Sequence, residues 1–114
     1  MAILTAAMKN ALASEYASLA LFGTVYTTAP GSSAGTEPTG GSPAFARKSL
    51  SWSAPSSGAI TATATFDIPT GTTVVGTGVH SALTGGTYLD GNSVVSQAFP
   101  TGGTLQVTFT FTQV

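Results

Sequence analysis

The stretch at residues 59–68, AITATATFDI, constrains this chain most. Ile60, Ala62, Ala64, Phe66 and Ile68 alternate with Thr61, Thr63, Thr65 and Asp67. A period of two puts the apolar set on one face of an extended strand and the polar set on the other. Residues 104–114 repeat the device, with Leu105, Val107, Phe109 and Phe111 facing in and Thr104, Gln106, Thr108, Thr110 and Thr112 facing out. Threonine suits such a face by its β-branched shape, and it adds no charge.

Further strands are expected at 18–26, 45–53, 74–80, 87–89 and 94–99, separated by turn chemistry at APSSG (54–58), PTG (69–71), SALTGG (81–86) and PTGG (100–103). Asp90-Gly91-Asn92 reads as a hairpin turn between two short strands. The segment 18–26 is apolar on both faces, which places it centrally or beneath the helix. The helix is expected at 4–17, where Leu4, Met8, Leu12 and Tyr16 recur every four residues beside Ala7 and Ala11. These elements predict one all-β domain spanning 1–114, an antiparallel sandwich or barrel-like fold of about seven strands with one short N-terminal α-helix.

Only seven of the 114 residues are charged, 6% against the roughly 25% of an ordinary soluble domain. Polarity comes from 20 Thr, 13 Ser and 14 Gly. A net charge of −1 argues against nucleic acid as a partner, because its recognition needs basic surface. It also leaves little repulsion between copies, which suits life inside an assembly. The absence of cysteine excludes disulfides, thiolate metal sites and cysteine nucleophiles. The N-terminal apolar runs are broken by Lys9, Asn10 and Glu15, so they read neither as a signal peptide nor as a membrane span.

Residues 27–44 form a loop with almost nothing to bury, followed at once by Phe45, Arg47, Lys48, Leu50 and the single tryptophan, Trp52. Arg47 and Lys48 point to opposite faces of an extended segment, and they can pair with Glu37 or with a partner's carboxylate. Phe45, Arg47, Lys48 and Glu37 are therefore the candidate protein-interface residues. Trp52 reads as core.

No constellation points to catalysis. His80 is the single histidine; its neighbour Ser81 faces away from it in a strand, and no Gly-x-Ser-x-Gly elbow exists. His80 is read as a structural or interface residue. GTGVHSA (76–82) precedes no good helix, so its glycines mark close backbone approach and not a dinucleotide site. Asp90 and Asp67 are too few for calcium, and Asp67 is expected to accept hydrogen bonds from the turn after it. No cofactor, metal or enzymatic activity is expected.

The segments GGSPAFAR (40–47), Trp52, FDIP (66–69), GTTV (71–74) and GGT (85–87) resemble those of a group of small virion proteins of tailed bacteriophages. That group comprises minor tail, tail-fibre-like and head-decoration components, with patterns such as GGSPAYARQ…TW and TFDVPAGTTV…VGLWDAATGGTFLG. The resemblance covers about residues 4–111. The chain departs from it at His80, where the group usually carries a tryptophan. The resemblance implies a non-enzymatic structural protein, foremost a minor tail or tail-fibre-associated subunit. It would be assembled in the bacterial host cytoplasm into the virion, in contact with copies of itself and other virion proteins, with the host surface as a further candidate contact. A head-decoration protein is the alternative, and a receptor- or carbohydrate-binding module is the alternative of another class.

Overall fold

The structure is a computed structural model that describes residues 5–112. It is mostly β, with one N-terminal helix and two antiparallel sheets. Helix α1 runs Ala6–Leu19, and six strands follow: β1 Phe22–Tyr26, β2 Lys48–Ser49, β3 Ala59–Ile68, β4 Thr72–His80, β5 Tyr88–Phe99 and β6 Gly103–Thr112. One sheet has the order β2-β1-β4-β5 and the other pairs β3 with β6. The sheets do not join into a closed barrel.

The alternating stretches behave as their pattern dictates. β3 and β6 pair in unbroken register from Ala59↔Thr112 to Ile68↔Gly103. Their inward residues share one core with Val25, Val74 and Val79 of the four-stranded sheet. Phe66 is fully buried there and meets Phe109 edge to face at 6.3 Å. The turns at 69–71 and 100–102 carry the chain from one sheet to the other side by side. Gly71 and Gly102 both donate their N–H to the Phe99 carbonyl, at 2.8 and 3.2 Å.

Four expectations need correction. Residues 87–89 and 94–99 are not two strands around a hairpin. Asp90, Gly91 and Asn92 lie within the continuous β5, whose pairing with β4 shifts register between Val74 and Gly76 and between Val79 and His80. Bulges absorb the extra residues, and a long partner strand overrides a local turn signal. The hairpin turn chemistry at APSSG is real: Ser57 (φ 50°) and Gly58 (φ 78°) make a tight turn closed by Ser56 and Ala59.

The segment 45–53 is extended, but only Lys48–Ser49 pairs as a strand. The rest crosses between the layers. The Leu50 amide donates to the Leu21 carbonyl at 2.9 Å, and the Ser53 amide donates to the Thr61 carbonyl at 2.8 Å. This crossing seals one side of the two-layer body, as segments that switch sheets do elsewhere.

The helix extends to Leu19, so Ser18 and Leu19 belong to it and the following strand starts at Phe22. Leu4 at its expected start, like Gln113 and Val114 at the end of the last strand, lies outside the described residues. Thr5 caps the helix by accepting from the Met8 amide at 3.3 Å.

The buried helix face is also rotated from the expected stripe. Ala13 is buried, whereas Met8 and Leu12 are exposed. Aromatic contacts set that rotation. Tyr16 stacks on Phe111 at 4.0 Å and meets Trp52 edge-on at 5.6 Å, while Asn10 accepts from the Gly58 amide at 2.8 Å. With alanine between these anchors, the helix approaches β3 closely and its long side chains turn outward. Trp52, half-buried against the core, donates its indole N–H to the Ala20 carbonyl at 2.8 Å.

β1 is interior in its sheet and buried on both faces, as its composition requires. The cover on its outer face is not the helix but the loop 27–44, which folds back over the four-stranded sheet. No helix among the described residues is long and apolar enough to cross a membrane.

Candidate functional site

The returning loop covers a cluster of polar side chains. Tyr26 ends β1 and His80 ends β4, and both face the loop. Tyr26 Oη and His80 Nε2 share a hydrogen bond of 2.6 Å, with Tyr26 fully buried and His80 only 4% exposed. Glu37, brought in by the loop, places Oε1 3.5 Å from the same His80 nitrogen. Arg47 then grips Glu37 through Nε at 2.9 Å and Nη2 at 2.7 Å, both on Oε1. Its Nη1 donates to the carbonyls of Ala82 and Gly85, at 2.8 and 2.9 Å. One guanidinium thus ties the 27–44 loop to the β4–β5 connection.

Glycines make room for this arrangement. A side chain at Gly78 would meet the Tyr26 ring at 2.5 Å, and one at Gly76 would meet Pro30 of the loop at 2.4 Å. Gly91 lies under the same proline, and Tyr88 donates its hydroxyl to the Gly31 carbonyl at 2.8 Å. Within the loop, the Thr27 amide donates to the Thr36 carbonyl at 2.7 Å and the Thr36 amide to the Thr28 hydroxyl at 2.7 Å. The reading of these glycines as points of close approach holds, and their partners are Tyr26 and Pro30.

Burial sets the electrostatics. The His80 pKa is lowered, first by burial and then by Arg47, with Glu37 acting in the opposite sense. The Tyr26 hydroxyl is pushed up by burial, then by Glu37 and Tyr88. The cluster is therefore a neutral tyrosine and histidine beside one ion pair. Tyr26 and His80 are buried, whereas the Arg47 and Glu37 side chains keep 11% and 23% of their surface exposed. Their chemistry is to hold a loop, and each loss would leave a buried polar group unpaired.

The structure brings Arg47 and Glu37 together and separates the other two expected residues from them. Phe45 stacks against Phe66 at 6.2 Å, on the core side. Lys48 lies 3.8 Å from Asp67 in an exposed pair of little energetic weight. Asp67 is thus matched with a lysine, and the hydrogen bonds expected from its own turn are replaced by that contact. Tyr26 and Tyr88 were not foreseen in the cluster. The signal for them was the strand glycines, Gly78 of β4 making room for Tyr26 and Gly91 of β5 for Tyr88.

The segments that carry the resemblance also meet. The Ser42 carbonyl, before a cis Pro43, accepts from the Thr70 amide at 3.2 Å and from its hydroxyl at 2.9 Å. Gly41 abuts Pro69 so closely that a Cβ would lie 2.4 Å from the proline ring.

A second feature lies on the other side of the body. A groove runs between β5 and β6, with two cavities of about 210 and 330 Å³ that share Thr77 and Thr108. Tyr16, Trp52, Asp90 and Asn92 line one end. Val94, Val95, Leu105 and Val107 line the other. Tyr16 donates its hydroxyl to Asp90 at 3.0 Å across the first end.

Compared with known proteins, the chain matches no family model, no curated protein and no solved structure.

Proposed function

We propose that this chain is a non-enzymatic structural subunit of a bacteriophage virion, foremost a minor tail or tail-fibre-associated protein. Its two layers are read as a β-sandwich that acts through protein–protein contacts. The observation that carries this reading is the mutual packing of the resemblance-bearing segments 40–47, 66–69 and 71–74, where Gly41 abuts Pro69 and the Ser42 carbonyl accepts from the backbone amide of the intervening Thr70. Residues that recur as a pattern are accounted for by one packing unit, as expected where a group shares a body and not a reaction. The exposed surface supports it. The outer face of β3 and β6 is threonine and glutamine apart from Asp67 near one end of β3, and Met8, Leu12 and Leu19 of the helix are exposed. Apolar surface of this kind marks contacts with other proteins.

Labelling purified phage particles with an antibody to this chain tests the reading. Label on tails is the expected result. Label on capsids makes it a decoration protein, and unlabelled particles overturn the virion assignment.

One observation favours a carbohydrate-binding module as second reading: Tyr16 and Trp52 stand beside Asp90 and Asn92 at one end of the groove. Aromatic faces beside a carboxylate and an amide suit a sugar. Titrating host-surface oligosaccharides while following Trp52 fluorescence separates the readings, because a saturable change is expected only of the module.

A further inference from the structure

We propose that the open side of the two-layer body is a twofold interface, in which β6 pairs antiparallel with β6 of a second copy. The two sides of the body differ. The crossing segment 48–53 seals one, whereas β5 and β6 end the other as the outer strands of their sheets, with the groove between them. Val95 is 92% exposed at this side. Leu105 and Val107, which face the core, are only half covered.

The choice of a second copy as occupant follows from the strand itself. β6 carries no charge, proline or bulge over Gly103–Thr112, so nothing in it opposes pairing with its own kind. β5 is a poorer template, since it bears Asp90 and two register shifts. The β3–β6 sheet has two strands, and two strands alone are marginal. Twofold pairing would extend it to four in the order β3-β6-β6-β3. Residues directly opposite in an antiparallel pair share a face, so apolar meets apolar and threonine meets threonine. A twofold axis gives that antiparallel sense automatically and closes the assembly at two copies. The size is sufficient: a contact roughly 34 Å long and as deep as the 22 Å short axis offers on the order of 750 Å² per copy, near the roughly 800 Å² of a stable interface. The net charge of −1 adds almost no repulsion.

This names the surface for the self-association in the function proposed above, and it rests on that reading only for the presence of many copies. Sedimentation of the purified full chain across a concentration series tests it. The expected species has twice the 11.3 kDa chain mass. Thr108→Lys and Thr108→Glu each place like charges across the axis and should weaken dimerisation at least about tenfold, whereas their equimolar mixture restores it. Val95→Lys, at a position too exposed to affect folding, should also weaken it. Thr61→Lys, on the same outer face but on β3, away from the axis, should not. Circular dichroism checks that each variant is folded; should the Thr108 variants fail to fold, Val95→Lys decides. A wild-type monomer at every concentration overturns the proposal and leaves the groove to another partner. Dimers indifferent to Val95→Lys and to the Thr108 charges overturn it too. Growth beyond two copies overturns the twofold in favour of head-to-tail pairing. A dimer absent from phage particles would sink the virion reading alone, and a monomer found on tails would sink the twofold alone.

Discussion

Gly41 sits at φ 83° with the Pro69 ring where a side chain would begin. Alanine there meets both a left-handed backbone and a steric overlap, so Gly41→Ala should destabilise by about 2 kcal/mol in denaturant unfolding. Ser57 presents the opposite opportunity. It holds φ 50° before Gly58 in a two-residue turn that favours Asn-Gly, so Ser57→Asn should stabilise by about 0.5 kcal/mol. His80 carries the pH dependence. Its folded pKa lies below the ordinary value of about 6.5, so the unfolded chain takes up the proton first. Stability is full above about pH 6.5 and falls as pH drops from there toward the lowered folded value. Denaturant midpoints measured from about pH 7.5 to pH 5 should show this decline, and His80→Gln should flatten it.

At the scale of elements, Tyr16 joins the helix to the sheets by stacking on Phe111 and bonding Asp90. Tyr16→Phe keeps the stack and should cost about 1 kcal/mol; Tyr16→Ala removes it and should cost about 3 kcal/mol, read from thermal unfolding. The legibility of the elements follows the reach of the forces that made them. β3 was readable residue for residue because its alternation is local and its partner has the same phase. The helix was legible as a helix but not in its rotation, since Phe111 and Trp52 decide that from far along the chain. The turn signal at Asp90-Gly91-Asn92 was local as well, and pairing with β4 overrode it. Of the candidate site, the pairing of Arg47 with Glu37 was readable from their opposite charges and nearness in sequence. The Tyr26–His80 bond was not, because the two stand 54 residues apart and meet only when β1 pairs with β4.

For the whole molecule, the decisive point is that loop 27–44 is held by its own chain. Arg47 joins the loop to the β4–β5 connection, and its side chain is 11% exposed. Arg47→Ala should cost about 3 kcal/mol and Arg47→Lys should recover only part of that, because lysine cannot reach Glu37 and two carbonyls at once. Limited proteolysis of the isolated chain should spare the loop in the wild type and cut within it in Arg47→Ala. Cleavage of the wild-type loop would show that a neighbouring molecule is needed to hold it.

The proline under which two strand glycines lie has a consequence for descent. Pro30, Gly76 and Gly91 form a mould and its cast, so neither glycine can gain a side chain while the ring stays. A descendant that gains a side chain at position 76 must first lose the ring at position 30. Sequences related to this one should therefore carry a side chain at position 76 only where position 30 is no longer proline.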